Sequence, residues 1–91
     1  MTEGKRAEVK ITGAVQGVGF RYEARDRARS LGLGGFIRNL PDGAVEAAFE
    51  GPEDKVESML DWCRRGPSGA RVDDVEVHWD APRGEMGFWI S

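Results

Sequence analysis

The chain reads as an α+β fold, a ferredoxin-like α/β sandwich in the order β-α-β-β-α-β with an extra C-terminal strand. One antiparallel sheet carries two helices on one face. Three observations predict it. Three segments alternate apolar and polar residues with the period of a half-wet strand, two others carry apolar residues at helical spacing, and glycine or proline marks each boundary.

Ala7, Val9 and Ile11 alternate with Glu8, Lys10 and Thr12, which gives a first strand with one wet face. After the glycine-punctuated stretch from Gly13 to Phe20, Tyr22 to Leu31 reads as a helix with Ala24, Ala28 and Leu31 on one face and Gly32 as its stop. Glu23 and Arg27, four residues apart, support it from the solvent side. Glu23, Arg25 and Arg27 make this helix unusually polar.

Gly35 to Leu40 is short, apolar-rich and ended by the turn Pro41-Asp42-Gly43. Val45, Ala47 and Phe49 then alternate with Glu46, Ala48 and Glu50, so the two segments form a hairpin. The second helix has Pro52 suited to its first position, Glu53 and Asp54 complementing its dipole, and an apolar stripe of Val56, Met59, Leu60 and Cys63. Arg64-Arg65-Gly66-Pro67 ends it. Val75, Val77 and Trp79 make a fourth strand, and Phe88 to Ile90 a short fifth.

A right-handed crossover makes the first two strands parallel, with room between them for another. The loop after the first strand and the C-terminal end of the second therefore open on the same edge of the sheet, where ligands collect in α/β sheets. With 91 residues the chain is expected to be a single domain, 1–91, with residues 1–6 disordered.

Cys63 is the only cysteine and His78 the only histidine, which excludes an internal disulfide, a cysteine-based zinc or iron–sulfur site and a His-rich metal site. No apolar run reaches the ~18 residues of a membrane span, and MTEGKRAEVK lacks the apolar segment of a signal peptide. The expectation is a soluble cytoplasmic protein. Residues 1–40 carry 8 basic and 4 acidic residues, whereas 41–91 carry 5 and 12. That acidic half disfavours nucleic acid and leaves room for a small anionic partner.

In the stretch from Val15 to Phe20, Gly17 and Gly19 permit successive N–H groups to point inward as an anion nest at a helix start. Arg21 stands where the helix dipole disfavours a cation, so its placement asks for an anion, and its planar fork suits phosphate or carboxylate. The loop is neither a P-loop nor GxGxxG. On spacing alone, a tight turn with a surface arginine accounts for it equally well. Asn39, a poor strand former on the same edge, could hold a water beside a phosphate or could be a turn residue before Pro41.

Gly13-Ala14-Val15-Gln16-Gly17-Val18-Gly19-Phe20-Arg21 resembles the first signature of the acylphosphatase family, and Gly35 through Gly51 resembles the second. Ile37 stands where that family more often has Val or Ala. The resemblance implies a hydrolase that splits the carboxyl-phosphate bond of acyl phosphates without metal or other cofactor. Arg21 and the backbone amides of Val15, Gln16, Gly17, Val18, Gly19 and Phe20 would bind the phosphoryl oxygens, and Asn39 would orient the attacking water. It further implies a monomer acting on a small-molecule acyl phosphate, with inorganic phosphate as product and competitive inhibitor, and no membrane partner.

The alternative is a non-catalytic regulatory module recognising phosphate or carbamoyl phosphate, like the acylphosphatase-like domain of larger maturation proteins; this sequence shows no fused zinc-finger or transferase segment. An RNA-binding reading of the fold needs basic and aromatic residues on the sheet face, and Glu46, Ala48 and Glu50 fit it poorly. Cys63 is expected to be inert in the core, His78 exposed on the open sheet face, and Asp73-Asp74 solvated. Trp62, Trp79 and Trp89 are expected to pack.

Overall fold

The computed structural model describes residues 4–91. Its elements are β1 (Gly4–Ala14), α1 (Phe20–Ser30), β2 (Gly34–Asn39), β3 (Val45–Pro52), α2 (Glu53–Arg65), β4 (Arg71–Asp80) and β5 (Phe88–Ile90). The strands form one sheet in the order β4-β1-β3-β2-β5. β3 lies between β1 and β2 and is antiparallel to both, so β1 and β2 run parallel as the crossover requires.

The sheet is mixed, which corrects the expectation of a purely antiparallel one: β5 pairs in parallel with β2, from Gly35 with Phe88 to Ile37 with Ile90. The cause is topological. β4 leaves the sheet where Asp80 faces Arg6, at the start of β1, and residues 81–87 cross from there to the far edge. They arrive at the start of β2 and can only continue alongside it in the same direction. Close packing helps hold the crossing here, because a Cβ at Gly34 would collide with the carbonyl of Glu85.

Gly4, Lys5 and Arg6, expected to be disordered, instead open β1, paired with Pro52, Gly51 and Glu50 of β3. Residues 1–3 lie outside the described residues. What orders the segment is Arg6, a 2% exposed guanidinium on the otherwise open face of the sheet. Its Nε bonds Glu8 at 3.0 Å, and Nη1 lies 3.6 Å from both Glu50 and Glu85. Glu50 accepts the N–H groups of Arg83 (2.8 Å) and Glu85 (2.7 Å), which fastens the 81–87 crossing to the sheet.

Ala7, Val9, Ile11, Ile37, Val45, Ala47 and Phe49 form the core face of the sheet. Val56, Met59, Leu60 and Cys63 cover it from α2. α1 begins two residues before the expected start, because Phe20 turns inward and joins Ala24 and Ala28 as its buried residues. Two alanines give so polar a helix little apolar area, and Arg29 adds a polar anchor by donating Nε and Nη2 to the Phe88 carbonyl at 3.0 and 2.8 Å.

Trp62 packs edge-on against Phe20 with ring centroids 5.2 Å apart. Trp79 and Trp89 do not pack as expected: they are 41% and 61% exposed, beneath the cations of Lys5 and Arg29. Both stand on outer strands, β4 and β5, where no further strand covers the ring.

Candidate active site

β1 and β2 end side by side at one edge of the sheet, separated by β3, so the loop leaving Ala14 and the residue ending β2, Asn39, share that edge. A register shift between Thr12 and Gly13 bends β1 into the loop. Gly19 then caps α1 in the left-handed conformation, with φ 78° and ψ 14°, and no side chain caps the helix. The first-turn N–H groups are thereby left available to a ligand.

The loop, the helix start and the end of β2 enclose a cavity of about 260 Å³. Val15, Gly17, Gly19, Phe20 and Arg21 line it from one side, with exposed Tyr22 beside them, and Asn39 enters from β2. Arg21 and Asn39, 18 residues apart in sequence, are thus brought to one site. Arg21 is half-buried, and no carboxylate among the described residues pairs with it. The Oδ1 atom of Asn39 is buried without a hydrogen-bond partner. A desolvated, unpaired amide oxygen costs about 1–3 kcal/mol, so it asks for an explanation; Arg6 Nη1, on the open sheet face, is the other such atom.

Gln16 and Val18 do not line the cavity. The Gln16 side chain reaches across to the turn after β2, where its Nε2 donates to the carbonyls of Leu40 (2.8 Å) and Ala44 (2.9 Å). Val18 packs on the edge of the core. Two contributions escaped the sequence reading, the Gln16 bridge and the presence of Tyr22 in the cavity wall. An exposed aromatic beside Arg21, off the apolar stripe of α1, is the signal for the second; nothing in the sequence marks the first.

A larger groove, about 460 Å³, lies on the open sheet face beside Arg6, Lys10, Glu46, His78 and Arg83. Its cations are matched within the protein: Arg6 with Glu8, Lys10 with Asp42, and Arg83 with Glu8 and Asp80, while Glu46 pairs with Arg38. The smaller cavity is the one that brings together a cation without a carboxylate and an amide oxygen without a hydrogen bond among the described residues.

Cys63 is fully buried beneath the sheet, and desolvation pushes its thiol up to about 12, so it stays protonated and unreactive. His78 is exposed on the open face, as expected. Asp73 is exposed and paired with Arg71 at 2.9 Å, which lowers its carboxyl below the usual range. Among the described residues no group of three or more His, Cys, Asp and Glu is placed to hold a metal ion, and no helix is long and apolar enough to cross a membrane.

Residues 7–90 match the acylphosphatase family model. The chain belongs to the acylphosphatase family. It is 58% identical over 86 residues to the acylphosphatase of Nostoc sp., covering 94% of this chain and 85% of that one. To the acylphosphatase of Roseiflexus sp. it is 53% identical over 91 residues, covering 99% and 98%. The crystal structure of acylphosphatase from Bacillus subtilis matches with a TM-score of 0.93 at 33% identity, over 96% of this chain and 98% of that one.

As an acylphosphatase, the protein is a hydrolase acting on the carboxyl-phosphate bond of small acyl phosphates, releasing carboxylate and inorganic phosphate. The substrate of an acylphosphatase is a mixed anhydride whose carboxylate is already a good leaving group. Catalysis then needs a positioned water and a compensated phosphoryl charge more than it needs a strong acid.

Proposed function

We propose that Arg21 and the backbone N–H groups of the loop from Val15 to Phe20 hold the phosphoryl oxygens while the amide of Asn39 orients the attacking water. One observation carries this reading: an arginine with no carboxylate partner and an asparagine oxygen with no hydrogen bond among the described residues line the same cavity. The water oxygen attacks phosphorus in line with the bond to the acyl oxygen. As that bond breaks, its electron pair leaves with the carboxylate, and the water's proton passes to an oxygen of the phosphate itself.

Arg21, the loop amides and the positive end of α1 together neutralise the phosphoryl charge, so the reaction runs without a metal ion or other cofactor. Inorganic phosphate presents the same oxygens to the same donors and competes with substrate. Arg21, the loop and Asn39 line one cavity within a single chain, so the scheme calls on no second subunit and a monomer is the proposed working unit. The acidic second half of the chain and the glutamates of β3 support a small anionic partner over nucleic acid.

The test is phosphate release from benzoyl phosphate and acetyl phosphate with EDTA present, alongside sedimentation analysis. Hydrolysis unchanged by EDTA, competitively inhibited by phosphate and carried by a monomer is the expected result. Activity lost on chelation and restored by Mg²⁺ or Zn²⁺ would overturn the metal-free scheme.

A further inference from the structure

We infer that Tyr22 selects the acyl half of the substrate, favouring planar aromatic acyl phosphates. This inference rests on the placement of phosphate and water given above. Tyr22, Trp79, Met86 and Trp89 are the large apolar side chains left exposed, and Tyr22 alone among them lines the catalytic cavity. α1 buries Phe20, Ala24 and Ala28, so Tyr22 lies off the packed face, and at 57% exposed its ring contributes little to the core.

In-line displacement puts the leaving group opposite the attacking water. Asn39 is the lone contribution of β2 to the cavity, and every other lining residue belongs to the loop or the start of α1. An acyl group leaving away from Asn39 therefore runs toward the α1 side, where Tyr22 is the one exposed aromatic surface. The guanidiniums of Arg21 and Arg25 lie 5.9 and 5.5 Å from the Tyr22 ring centroid. They restrict where the ring sits without burying it, so a flat acyl group meets a partly ordered platform. An acetyl group has no ring with which to stack.

Steady-state kinetics with benzoyl and acetyl phosphate on the wild type, Tyr22→Ala and Tyr22→Phe, each with the inhibition constant for inorganic phosphate, test the inference. Tyr22→Ala is expected to lower kcat/KM for benzoyl phosphate about fivefold, the range of one aromatic contact. The loss should appear mainly in KM, with acetyl phosphate and phosphate inhibition within about twofold of wild type, again by the size of that contact. Tyr22→Phe should retain the preference. An equal fall for both substrates together with weakened phosphate inhibition would overturn the inference, showing that the ring serves to position Arg21. Unchanged benzoyl phosphate kinetics in Tyr22→Ala would overturn it as well. Failure of the phosphate-site reading is read separately, from an Arg21→Lys protein that keeps wild-type turnover.

Discussion

Gln16 is tied to Leu40: its Nε2 donates to that carbonyl at 2.8 Å and to the Ala44 carbonyl at 2.9 Å, joining the loop after β1 to the turn that follows Asn39. One side chain thus adds a direct tie between the loop and the turn, 24 residues apart, to the indirect link through β3. Gln16→Leu should separate them. Removing two part-buried hydrogen bonds costs about 1–3 kcal/mol, read from denaturant unfolding, and kcat should fall about tenfold as Asn39 drifts from the reacting phosphorus. A variant that loses stability at unchanged kcat would show that the bridge serves the fold alone.

Arg21→Lys keeps the charge and loses the planar fork. Turnover should fall by roughly 10²-fold or more, the scale of losing a charge-stabilising donor, and phosphate inhibition should weaken, with the circular dichroism spectrum unchanged. Wild-type turnover with wild-type phosphate inhibition would remove Arg21 from the cradle.

Glu50→Gln tests the hidden polar centre of the open sheet face. The carboxylate faces the buried Arg6 guanidinium and accepts two backbone N–H groups from the crossing that leads to β5. Arg6 keeps Glu8 and Glu85 as partners, so the loss is that of weakened bonds to one charged acceptor, expected to cost about 1–3 kcal/mol in denaturant unfolding. An effect below 1 kcal/mol, a roughly surface-like value, would contradict the role given to this pair.

That centre also shows why part of the fold was illegible. Gly4-Lys5-Arg6 has the composition of a solvated tail, and the partners that bury Arg6 include Glu50 and Glu85, far along the chain, as well as neighbouring Glu8. The parallel pairing of β5 escaped for a related reason, since three residues carry no directional signal and the path of 81–87 sets their direction. By contrast, Val45, Ala47 and Phe49 and the Val56–Cys63 stripe declare their buried faces through periodicity alone, and both are buried. Arg21 and Asn39 were legible as candidates because each is a poor fit to its local element. Gln16 could be read only as part of the loop, because its partners are carbonyls, which every residue carries.

Cys63→Ala should leave kcat unchanged and cost about 1 kcal/mol, a small cavity beneath the sheet. The native thiol holds its proton to about 12 against an ordinary value of 9.0. Between those limits the unfolded chain ionises and the native one does not, so this group's stabilising contribution is complete below pH 9 and declines as pH rises toward 12. The stability gap between wild type and Cys63→Ala should therefore narrow on raising pH above 9. A gap that widens there, or a folded variant with reduced kcat, would contradict a buried, inert thiol.

The most direct test of the whole account is the hydrolysis of benzoyl phosphate by Asn39→Ala, with phosphate inhibition measured on the same protein. If Asn39 orients the water, kcat falls by roughly 10²-fold or more while the inhibition constant stays within a few-fold, because the loss is confined to the transition state. Collapse of phosphate binding with single-turnover chemistry intact would instead make Asn39 a clamp on the ligand and leave the water without its guide.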